Sequence, residues 1–116
     1  MPRMTKTYTT AELRGLKQTI EEQNIINNAK SLADTIKKDV LLIAERGVST
    51  RLTKKIHMRH GSQDHILRCQ EFIVTFIREQ FPDISVAFEV FHQASETTHG
   101  VTTVYVEMNV IVDWSE

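Results

Sequence analysis

The chain has 116 residues, 41% of them apolar and 25% charged, the size and balance of one packed domain rather than a disordered chain. Its one cysteine, Cys69, excludes an internal disulfide and any zinc site built from several cysteines of one chain. The net charge of −1 conceals a polarity: all 14 Lys and Arg fall within residues 1–82, and the ionised groups after Pro82 are all acids.

Residues 1–8 are expected to form a flexible segment ahead of a single domain at 9–116. Met1-Pro2-Arg3-Met4 is basic, but no apolar stretch follows it, so no secretory leader is expected. No apolar run is long enough to span a bilayer, which makes a membrane partner unexpected. An intracellular, reducing setting is the expectation.

Thr9 and Glu12 have the spacing of a capping box, and Leu13, Leu16 and Ile20 continue at helical spacing, so a helix is predicted over 9–23. That stripe fails at Gln23 and Asn24. A second begins at Ile25 or Ile26 and runs through Ala29, Leu32, Ala33, Ile36, Val40 and Ile43 to a stop at Gly47. The asparagines at 24, 27 and 28 either cap a second helix or sit on the wet side of one long helix. A break or bend is the reading adopted, with the second helix at 28–46.

From Val48 the period falls to two, predicting a strand over 48–58 with Leu52, Ile56 and Met58 inward and Lys54 as a charged intruder among them. Gly61-Ser62 opens a helix over 62–80 with a buried face of Ile66, Cys69, Ile73, Phe76 and Ile77, stopped by Phe81-Pro82. A strand follows at 84–92, then a polar loop at 93–100. The best-patterned strand, at 101–114, turns Val104, Val106, Met108, Val110, Val112 and Trp114 to one side. The fold expected is α+β: N-terminal helices, then β-α-β-β, with a three-stranded mixed sheet packed on helices and a C-terminal hairpin. Its β-α-β part with a returning strand is similar in architecture to half of a ferredoxin-like unit, which carries no functional information.

Candidate chemistry is sparse. His57, His60 and His65 are the nearest approach to a metal set, but they straddle a strand end, a turn and a helix start with no fixed acid or thiol, and no metal is expected. Cys69 has His65 one turn earlier, yet its apolar face marks a structural thiol. No phosphate loop, nucleophile elbow or other catalytic signature occurs, so neither an enzyme nor a cofactor is expected. The basic run holds Arg46, Arg51, Lys54, Lys55, His57 and Arg59 with no acid among them. With Phe91 and Tyr105 on neighbouring strands, these cations are the ingredients of a nucleic-acid or partner surface. Glu89, Glu107 and Asp113 share that face, and cross-strand pairing with the basic strand explains the same pattern without a ligand.

Asn28-Ala29 with Leu32-Ala33 and Ile36, then Ala44-Glu45-Arg46-Gly47, Phe81-Pro82-Asp83 and Val110-Ile111-Val112-Asp113-Trp114-Ser115, resemble small α+β proteins of unestablished function encoded by large double-stranded DNA viruses of eukaryotes. The resemblance covers residues 28–115. It implies a viral accessory or virion-associated protein in the host cell or virion, and it carries over no functional residue. The function expected is a non-enzymatic interaction module acting through protein contacts or self-association, the alternative being nucleic-acid binding by residues 46–59.

Overall fold

A computed structural model describes residues 9–115; the flexible segment expected at 1–8 lies outside them. The chain folds as α1 (Thr10–Arg46), β1 (Arg51–His60), α2 (Gln63–Gln80), β2 (Ser85–Thr98) and β3 (Val101–Asp113).

α1 is one continuous helix of 37 residues, so the break expected at 23–28 does not occur. The pattern fails there for a different reason. At 100° per residue, Leu13, Leu16 and Ile20 lie roughly 170° around the helix from Ile25, Ala29, Ala33, Ile36 and Val40. Only the second set is buried. The sequence changes face while the backbone continues. The Thr9 hydroxyl accepts from the Glu12 N–H at 3.1 Å, and Gly47, in the left-handed region at φ 64°, closes the helix by donating to the Ala44 carbonyl.

α2 runs alongside α1 in the same direction. His65 and Arg68 of its first turns meet Glu21 and Glu22, and its far end, at Gln80 and Phe81, lies by Val40 and Leu41. Ile66, Cys69, Ile73 and Ile77 bury its inner face. The Ser62 hydroxyl caps it by accepting from the His65 N–H at 3.2 Å.

The sheet has the order β1-β3-β2 and every pairing in it is antiparallel, which corrects the mixed sheet expected. The crossover through α2 does make β1 and β2 parallel to each other, but β3 inserts between them and separates them. Both helices cover one face. On that face lie Leu52, Ile56 and Met58 of β1 and Val104, Val106, Met108, Val110 and Val112 of β3, closing on Ile25, Ile36, Ile66, Ile73 and Ile77. Lys54 is on this inner side as well. Its Nζ lies 2.6 Å from Asp39 of α1, so the intruder is answered by a carboxylate from the covering layer.

The loop expected at 93–100 is strand. β2 runs on to Thr98, and His99-Gly100 alone turn the chain, both with positive φ (54° and 78°), as a two-residue hairpin turn of type I′ requires. A bulge at Phe91 shifts the register between Val90 and His92. Beyond it β2, an edge strand, is exposed throughout, and from Glu96 and Thr103 on the hairpin also runs past the end of β1. Such a segment buries nothing, and so shows no alternation.

Candidate functional site

The open face of the sheet holds most of the residues singled out from the sequence. The register sets them in rows: Arg51, Asp113 and Ser85; Lys55, Asn109 and Glu89; His57, Glu107 and His92; Arg59, Tyr105 and Ala94. The bulge brings Phe91 beside these rows. The Lys55 Nζ stands 5.3 Å from the centre of the Phe91 ring, and the Arg59 guanidinium 5.3 Å from that of Tyr105. The His57 ring stacks on Tyr105 with centroids 6.4 Å apart. Lys55 and Arg59 therefore spend their charge on aromatic faces, a favourable contact. Neither forms an ion pair within 4.0 Å among the described residues. Arg51 faces Asp113 across the ladder and helps to hold its carboxyl below the usual range. The larger causes of that shift are the hydroxyl and backbone N–H of Ser115.

Two of the basic residues leave this face. Lys54 belongs to the inner side and is tied to Asp39. Arg46 ends α1, where a cation meets the negative end of the helix dipole. The surface brought together is thus Arg51, Lys55, His57, Arg59, Phe91 and Tyr105, with Glu89, Glu107 and Asp113 among them. Three fixed cations face three acids.

The histidines separate. His57 lies on the open face, whereas His60 and His65 meet behind the sheet, near Glu21 and α1. Burial, and then the neighbouring His65, push the His60 pKa below its ordinary value. No three His, Cys, Asp or Glu of the described residues converge as a metal-binding group. Cys69 is fully buried, with Sγ 4.0 Å from the Ile25 carbonyl, and burial pushes its thiol up to about 11. A thiol so placed stays protonated and closed to substrates.

A second surface was visible in the sequence only as a stripe. The first eleven residues of α1, Thr10 to Ile20, are exposed on every side. They form a spur that extends about 16 Å beyond the packed part of the helix. Leu13 is 53% exposed, Leu16 43% and Ile20 60%, all on the side turned away from the domain. On the inward side, Gly15, Gln18, Thr19 and Glu22 overlook an open notch closed below by Ile25, His65 and Arg68. The Arg68–Glu22 ion pair and the looser His65–Glu21 contact, at 3.8 Å, anchor the base of the spur. No local pattern announces these two contacts, since the partners are more than forty residues apart.

No family model matches the chain, and no curated protein or solved structure matches it. No helix among the described residues is long and apolar enough to cross a membrane.

Proposed function

We propose that the chain is a non-catalytic interaction module whose contact element is the spur of α1. The observation that carries this reading is the reversal of phase along one helix. Ile25 to Val40 supply the core, while Leu13, Leu16 and Ile20 form an equally regular apolar stripe pointing the other way. Burying the spur against its own domain would require a partner on the side of α1 opposite the sheet and α2. An amphipathic stripe on a protruding helix is a common protein-docking element. The assignment to a viral accessory or virion-associated protein rests on the sequence resemblance alone.

The sheet supports a second reading, binding of single-stranded nucleic acid. In its favour, cations and aromatic rings share one open face. Against it, Glu89, Glu107 and Asp113 stand among the three cations, and phosphate binding needs a net positive footprint. The spur is the better supported surface.

The test is to change Leu13, Leu16 and Ile20 together to Gln in the full chain and follow chemical denaturation. A contact stripe unused by the fold predicts stability within about 0.5 kcal/mol of the parent, the usual range for surface changes. A loss of several kcal/mol would assign the stripe to the fold and end the reading.

A further inference from the structure

We infer that the spur's partner is a second copy of this chain, packed parallel and in register along Leu13, Leu16 and Ile20. The inference rests on the proposed role of the spur and adds to it an occupant and an orientation.

Spacings of three and four residues make Leu13, Leu16 and Ile20 the successive a, d and a positions of a heptad pattern. This frame places Glu12 at the preceding g position and Lys17 at e. In a parallel pair, a g residue of one helix meets the e residue five places later on the other. Glu12 of each copy then meets Lys17 of its mate, and the two-fold axis makes the contact twice. An antiparallel pair about the same stripe sets e against e, bringing Lys17 towards its own counterpart. Charge therefore selects the parallel arrangement. Both groups are available for it: among the described residues Glu12 has no cationic partner, and the Lys17 contact with Glu21 is long, at 3.8 Å.

The geometry of the domain permits the pairing. The stripe faces directly away from the core side of α1, so two spurs meet with both domains on the outside. The next positions of the frame are Gln23 and Asn27, which hydrogen-bond to each other at 2.9 Å within the helix. They end the apolar seam with a polar layer, a device that fixes register where helices pair. With only three apolar residues from each copy, the interface is far below the size of a permanent dimer. The association is reversible and set by protein concentration.

Sedimentation equilibrium of the full chain at low salt, up to the millimolar range, reads the association. The parent is expected to show a monomer–dimer equilibrium, and Leu16→Glu to remain monomeric with its helix content and melting curve unchanged. Glu12→Lys alone and Lys17→Glu alone each set like charges at both contacts and are expected to weaken the dimer roughly tenfold. An equimolar mixture of the two is expected to recover it, because the heterodimer restores opposite charges at both contacts. A parent that stays monomeric throughout, or a dimer indifferent to Leu16→Glu, would overturn self-pairing. A dimer that Leu16→Glu abolishes but the charge changes leave alone would overturn the parallel register. The triple Gln variant separates these failures from failure of the proposed function: stable with a monomeric parent, it removes the second copy alone; destabilised, it removes the contact role itself.

Discussion

Val110 and Val112 lie on the buried face of β3, both fully inaccessible, and differ in their cross-strand neighbours. Val112 sits between Leu52 and Val86, and Val110 between Lys54 and Phe88. Replacing Val112 with Asp forfeits about 2 kcal/mol of apolar burial. It also requires the new carboxyl to be buried neutral, which at pH 7 costs about 4 kcal/mol, the work of protonating an acid some three pH units above its usual pKa. The sum, about 6 kcal/mol, rivals the whole stability of an ordinary domain. Val110→Asp loses the same burial, but its carboxylate meets the Lys54 ammonium in competition with Asp39, and the penalty should be smaller by about 1–3 kcal/mol. Urea titrations followed by circular dichroism at pH 5 and pH 7 separate the two. An acid whose pKa is raised by folding keeps its proton in the folded state and loses it in the unfolded one. Val112→Asp should therefore be the more stable at pH 5, by up to about 2.7 kcal/mol over two pH units. Equal losses in the two variants at pH 7, or no recovery of Val112→Asp in acid, would refute the placement of Lys54 beside Val110 and the dryness of the sheet face.

Other outcomes follow from single sites. Cys69 should resist thiol reagents at pH 8 except through unfolding, so its labelling rate should rise with denaturant in step with loss of helix signal. His60, whose pKa is lowered in the fold, binds its proton more readily when unfolded. It contributes stability in full above pH 6.5 that is lost as pH falls from there through its lower folded pKa, and His60→Gln should flatten this part of the stability–pH curve. His99 holds φ 54° without being glycine; His99→Asn, better suited to that turn position, should stabilise the hairpin by about 0.5–1 kcal/mol in thermal melts.

The buried faces of α2, β1 and β3 were legible because each residue on them alternates or recurs against one fixed neighbour layer. Lys54 was visible as an exception, but its reason was not, since Asp39 is fifteen residues away on another element. Two misreadings share one cause. At Gln23–Asn28 and at Gln93–Thr98 the pattern ends because burial ends or changes side, while the backbone hydrogen bonding continues. Periodicity reports what covers an element, and the spur of α1 and the tip of the hairpin have no cover. The hairpin turn was hidden further by its residues, since His-Gly lacks the Asn or Asp that usually marks such a turn. Of the candidate surface, Arg51, Lys55, His57 and Arg59 were placed together by strand alternation alone. Phe91 and Tyr105 were placed near them in the same way, but two explanations of the face stood side by side, cations on aromatic rings and cations paired with Glu89, Glu107 and Asp113. Alternation could not show that a bulge carries the Phe91 ring to Lys55 while Arg59 meets Tyr105 directly across the ladder.

The insertion of β3 between β1 and β2 has a consequence for the order in which the chain assembles. β2 and β3 adjoin through a two-residue turn, so their ladder grows from contacts between near neighbours in sequence. The β1 ladder joins Arg51 to Asp113 and His60 to Val104, and α2 and all of β2 lie in the chain between them. Closing so large a loop is the slow, entropically costly kind of event, worthwhile only once a hairpin edge exists to receive the incoming strand. The hairpin is thus the template and β1 the latecomer. Until β1 docks, the edge of β3 and the apolar row from Val104 to Val112 stand open, and that interval is when the chain is most exposed to pairing with another of its kind.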